Sequence, residues 1–251
     1  MKKIILFAVL IFVSASCANM QFPSDLLKQL PTGISNSENA AGLKDALSVG
    51  IGNAVLNLNK ENGYFANQAL KIFLPEEAHV IVDNIKYIPG GQKMVEDVIL
   101  RLNRAAEDAA STAAPIFGKA ITDMTIPDAT NILFGNKDAA TNYLRQKTYN
   151  QLVSAYSPKI EASLGKNIVG GISASKSWNT LAMAYNSVAN SVVGQVANLT
   201  PVNDNLSQHV TQKALSGLFL TLSNEEAKIR ENPAARVNDL LKKVFGQLDK
   251  K

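Results

Sequence analysis

The chain has 251 residues, 46% of them apolar and 18% charged. It is long enough to bury a core and too apolar for a disordered composition. Its formal charge of +4 includes Lys2 and Lys3; without these, 23 basic residues face 21 acidic ones, and the lack of like-charge blocks argues against a nucleic-acid partner. The single cysteine, Cys17, excludes an intrachain disulfide and any cysteine-based metal site or thiol nucleophile further along.

The N-terminus carries an address. Lys2 and Lys3 form a basic head, Ile4 to Val13 is an unbroken apolar run, and Ser14, Ala15 and Ser16 are small. This is the three-part layout of an export signal. The run is too short for a permanent membrane span, and no later run approaches the required length. Small residues leading into Cys17 resemble a bacterial lipobox, in which the cysteine is lipidated and becomes the new N-terminus. Ser14 departs from that pattern, because an aliphatic residue is usual three before the cysteine. Cleavage after Ala18, with Ser16 and Ala18 as recognition residues, is the alternative and stays open. Ala18, rather than aspartate, after the cysteine points by the same resemblance to the outer membrane. The expected layout is a signal over 1–17, a tether over 18–37 with one helical turn at Asp25–Leu30, and a single helical domain over 38–248.

Within the domain, period-3.6 patterns dominate and alternating strand patterns are scarce. Ser37 is positioned to cap a helix over Glu38–Asn59 whose apolar stripe includes Leu43, Leu47, Ile51 and Leu58. Gly50 and Gly52 do not make a dinucleotide fingerprint, because Val55 stands where the third glycine belongs. Residues 74–91 predict a helix with Pro75, Glu76 and Glu77 in its first turn and a stop at Pro89-Gly90-Gly91. The next helix bears Val95, Val98, Ile99, Leu102, Ala105, Ala106 and Ala109 as a core stripe. Asp97 and Arg101, and Arg104 and Asp108, lie on its other side at ion-pairing spacing.

Pro115 ends that pattern. A shorter helix follows it, and the next takes Thr125 as cap, Pro127 in the first turn and Gly135 as stop. A long pattern over 136–164 is interrupted at Pro158. Within 165–206, glycines and serines crowd 165–177, a helical stretch runs from Trp178, and ANLTPVNDN reads as a turn. A helix over 207–223 follows, then a capping box of Ser223 and Glu226 opening another. Asn232-Pro233 open the last. The reading is an all-α bundle of about nine helices with short loops.

Several segments resemble a bacterial family known as domain of unknown function 4197. They are LKDALSVGIGNAV (43–55), RLNRAAEDA (101–109), PIFGKAITDMT (115–125), DAATNYLRQKT (138–148), VTQKALSGLF (210–219) and EEAKIRENPAARVNDLLKKVFG (225–246). The resemblance implies an exported helical protein and supplies no catalytic assignment.

Chemistry is sparse. His79 and His209 stand apart and suggest packing, not a metal site. Ser173–Lys176 spells SxxK, but the partner motifs of penicillin-recognising enzymes are absent. The pairs Glu76–Glu77 and Glu225–Glu226 read as first-turn helix stabilisers. No cofactor motif occurs. The remaining constellation is cationic. Arg101, Arg104, Arg145, Lys147, Lys213, Arg230 and Arg236 lie in the matched segments, with Tyr143 near Arg145 and Glu107 near Arg104. They read as ion-pair struts to Asp97, Glu107, Asp108, Asp138 and Asp239, or as one groove for an anionic group.

The expected function is a non-enzymatic binding or scaffold domain on the periplasmic side, with an envelope protein or lipid as partner. The alternatives are a carrier with a closed apolar cavity of a few hundred Å³ and an unrecognised hydrolase.

Overall fold

A computed structural model describes residues 33–84, 91–166, 173–202 and 205–250. The export signal, Cys17 and the turn expected at Asp25–Leu30 lie outside the described residues. Met1–Ile34 and Ser35–Lys251 separate into two units, and every helix below belongs to the second. The fold is all-α, with no β-strand among the described residues.

The α-helices are α1 (Asn36–Asn59), α2 (His79–Asn84), α3 (Gly91–Ala110), α4 (Ala113–Asp123) and α5 (Ile126–Leu133), followed by α6 (Ala139–Gly165), α7 (Ala174–Ala189), α8 (Val192–Val196), α9 (Leu206–Glu231) and α10 (Asp239–Phe245). Eight of these have seven residues or more. The heart of the unit is α6, packed between α3 and α9. α1 lies along α9 and also carries α4, α5 and α10; α7 rests on α6, and α8 on α7.

The expected stripes supply the core. Leu43, Ala46, Leu47, Ile51, Ala54, Val55 and Leu58 are buried on α1, and Val98, Leu102, Ala105, Ala106 and Ala109 on α3. Leu102 and Leu218 are fully buried and Phe245 nearly so. Removing each such side chain from water contributes roughly 1.5–3 kcal/mol.

Several helix ends differ from expectation. Ser35, not Ser37, caps α1: its Oγ accepts from Glu38 N at 3.2 Å while the Glu38 carboxylate accepts from Ser35 N at 3.0 Å. That reciprocal pair requires the three-residue spacing that only Ser35 has to Glu38. Lys243 donates to the same carboxylate at 2.7 Å, and together these contacts hold the Glu38 carboxyl down at about 2. Pro158 does not interrupt α6, because Leu152, Tyr156, Ile160 and Leu164 bury one continuous stripe across it. Likewise α9 runs unbroken through Ser223, since Leu218, Leu222 and Ile229 share one buried face. Asn232-Pro233 open only a 3₁₀ turn, and α10 starts later under Asn238, whose Oδ1 accepts from Leu241 N at 2.9 Å. Of the helix expected over 74–91, the described residues form a 3₁₀ turn, Glu76–Ala78, running into α2, and residues 85–90 lie outside the described residues. Thr125 caps α5 as expected, in a capping box with Asp128.

Candidate functional site

The stretch 99–108 of α3 presents more than a wet face. Asn103 is fully buried and Glu107 nearly so. Asn103 Oδ1 accepts from Ile72 N at 2.8 Å, and its Nδ2 donates to Ile72 O and Ile99 O, both at 2.8 Å. One carboxylate oxygen of Glu107 accepts from the backbone N–H groups of Tyr64 and Phe65, each at 3.1 Å; the other accepts from Arg104 at 2.5 Å. Arg104 donates onward to Glu61 and to Asn62 Oδ1, each at 3.0 Å. These three side chains therefore clamp the segment between α1 and the Glu76–Ala78 turn. Paired and hydrogen-bonded in this way, their buried charge and amide are tolerated; unpaired, they would be costly.

From the other side, the Tyr64 hydroxyl donates to Ala214 O of α9 at 2.8 Å, and burial pushes that hydroxyl well above its ordinary range. Gly217 makes the contact fit, since a Cβ there would lie 2.8 Å from Tyr64 Cε1. Asn62 takes a left-handed backbone, φ 67°, which asparagine accepts more readily than most residues.

The clamped segment forms one wall of an open groove of about 630 Å³, with the end of α1 and the middle of α9 as the others. Five carboxamide side chains line it: Asn57, Asn62, Asn67, Gln68 and Asn224. Leu220 offers an exposed apolar step. Lys60 stands at the rim, and Lys228 is paired with Glu225 at 2.5 Å. A volume in this range suits a ligand or a short chain segment.

The cations expected to converge take separate posts. Glu226 and Arg230 pair along α9 at 2.9 Å, both almost buried. The Glu226 carboxylate accepts from Ala140 N at 3.0 Å, Thr141 N at 2.9 Å and Thr141 Oγ1 at 2.8 Å. It thereby supplies the N-terminal cap that Asp138 does not give α6. Arg230 donates to Leu133 O and Ile132 O, the last carbonyls of α5. One pair thus answers the positive end of one helix and the negative end of another. This corrects the reading of Glu225 and Glu226 as first-turn residues. Arg236 donates to Ile229 O and Arg230 O at the end of α9 and grips Asp249 with both terminal nitrogens.

Arg145 covers the Phe219 ring at 4.3 Å, and Lys147 lies 5.7 Å from the Tyr143 ring. Tyr143 and Lys147 line a cleft of about 290 Å³ with Lys119, Asp123 and Asp128. Arg101 is half-buried and Lys213 exposed. The expected Asp97–Arg101 and Arg104–Asp108 pairs are replaced by Lys93–Asp97 and Arg104–Glu107. Asp239 pairs with Lys242.

Ser173 serves as a cap: its Oγ accepts from the backbone N–H of Lys176 at 3.2 Å. His209 Nε2 lies 3.0 Å from Phe73 O, and among the described residues no cluster of His, Cys, Asp or Glu is arranged to hold a metal ion. An apolar pocket among α1, α6, α9 and α10 measures about 20 Å³, room for about one water molecule and far below a carrier's need. No helix of the described residues is long and apolar enough to cross a membrane. On α7 and α8, Met183, Val192, Val193 and Val196 are 64–80% exposed.

Sequence reasoning missed the groove. The signal present was the run of Asn57, Asn59, Asn62, Gly63 and Asn67 between two helical patterns.

No curated protein and no solved structure matches the chain. The profile of the family described as "Protein of unknown function (DUF4197)" matches residues 33–246, and the chain belongs to that family.

Proposed function

We propose that this protein is a non-enzymatic binding or scaffold domain of the cell envelope. It acts on the periplasmic side after export and is held at the outer membrane through lipid on Cys17. The observation that carries the binding role is the open groove of about 630 Å³, whose wall is fixed by the buried Asn103–Arg104–Glu107 clamp. A wall already ordered before the partner arrives spends little conformational entropy on binding. The 20 Å³ apolar pocket gives the carrier reading no support. The exposed valines of α8 add apolar surface of the kind partner-binding domains present.

The address and the groove are tested separately. Cys17→Ala abolishes lipid labelling and releases the protein from membranes; unchanged fractionation refutes the lipoprotein reading. A photo-crosslinking residue at Asn67 gives adducts with a discrete envelope partner, and Asn224→Trp, which fills the groove, removes them. Adducts equally strong from Val237, which is exposed outside the groove, refute the groove as the binding site.

A further inference from the structure

The hydrogen-bonding state of the groove's amides restricts what it takes. Asn57 Oδ1 accepts from Lys60 Nζ at 3.3 Å, Asn62 Oδ1 from Arg104 at 3.0 Å, and Asn67 Oδ1 from Ala69 N at 3.0 Å. Each of these partners is a donor, so the oxygen of each carboxamide is identified by chemistry and is turned toward the protein. With each oxygen so engaged, the NH₂ end of each side chain carries two N–H donors for a ligand. Gln68 and Asn224, both exposed, add two more carboxamides.

The charges point the same way. Glu225 is neutralised by Lys228 at 2.5 Å and also accepts from Asn53 at 3.3 Å. Among the described residues Lys60 donates to the neutral Asn57 oxygen and to no carboxylate. Among the described residues the groove therefore offers a row of N–H donors and one cation without a carboxylate partner, and it suits a ligand rich in acceptor oxygens with at least one negative charge. Among the described residues no aromatic ring lines it, so a stacked base or sugar ring lacks its usual platform. Ala66, Ala69 and Leu220 instead give small apolar footings suited to the side chains of an extended chain.

We infer that the groove binds an extended peptide segment: the Asn57, Asn62 and Asn67 amides donate to its backbone carbonyls, and Lys60 pairs with a carboxylate. This rests on the reading of the groove as the binding site.

The test uses the purified full chain, labelled with ¹⁵N, titrated with acetyl-Ala-Ala-Asp-Ala-amide and, separately, with its Asn-for-Asp counterpart and a neutral N-acetylated disaccharide. The Asp peptide shifts the side-chain NH₂ resonances of Asn57, Asn62 and Asn67. The neutral peptide binds about three- to fivefold more weakly, the range of one exposed ion pair. Lys60→Gln erases that preference without changing the fold, seen as unchanged backbone resonances elsewhere. Groove resonances that stay still with both peptides, or move equally with the disaccharide, overturn the peptide assignment. If position 67 gives no crosslinks in the chain with Asn224 intact, the groove reading itself falls; crosslinks that form there while both peptides fail remove only the ligand class.

Discussion

The segment from Lys60 to Leu74 and the pair α7–α8 invert the usual expectation of order. The first has almost no regular structure, yet its backbone is held by Asn103 and Glu107, and Tyr64 is fully buried. The second is helical, but α8 is a single turn whose Val192, Val193 and Val196 stand 74–80% exposed. Helical hydrogen bonds alone contribute little once the face they present is left in water. Buried side-chain bonds to the backbone, each leaving a costly vacancy if broken, fix an irregular segment more firmly.

The largest break in that contrast comes from Glu107→Ala. It strands the Tyr64 and Phe65 N–H groups and leaves Arg104 to Glu61 and Asn62, and is expected to lower unfolding free energy by about 2–5 kcal/mol in urea titration. A loss below about 1 kcal/mol would mean that water replaces the carboxylate and that the clamp is dispensable. Asn103→Ala removes the bonds to Ile72 and is expected to cost about 1–3 kcal/mol, with the accompanying loosening confined to residues near Ile72.

Acid sharpens the comparison next. Lys243 and Ser35 hold the Glu38 carboxyl at about 2 against an ordinary 4.5; Thr125 lowers Asp128, and Arg236 lowers Asp249. A carboxyl lowered in the folded state contributes stability that is present above its unfolded value and lost as pH falls through the folded one. Thermal stability is therefore expected to decline from about pH 4.5 toward pH 2, and Glu38→Gln to flatten part of that decline. A variant with the wild-type profile would show that the α1 capping box does not couple to folding. The smallest effect is expected at α8, where Val193→Ser changes stability by no more than about 0.5 kcal/mol; a larger loss would place α8 in the cooperative core.

The helical class was legible because stripes such as Leu43–Leu58 and Val98–Ala109 repeat at helical spacing and the core uses them. Thr125 was legible as a cap because it stands two before Pro127, a first-turn signal; the Asp128 half of its capping box was not read. The breaks assigned at Pro158 and Ser223 failed for one reason: a local stop or cap signal was outweighed by a buried face continuing on both sides. The clamp was half legible. Arg104 and Glu107 stood out as residue types, but their partners are backbone N–H groups and carboxamides of a distant segment, and a bond to backbone leaves no residue-type signature. Glu226 was misassigned for the same reason, since the cap it supplies belongs to α6, eighty-five residues earlier at Thr141.

Amide hydrogen exchange on the wild-type chain tests the central claim most directly. If the α3 side chains hold the groove wall in one conformation, the N–H groups of Tyr64, Phe65 and Ile72 exchange as slowly as those in the middle of α6 and α9. Exchange at those three positions as fast as at Gln195–Asn198 of α8 and its end would contradict the account.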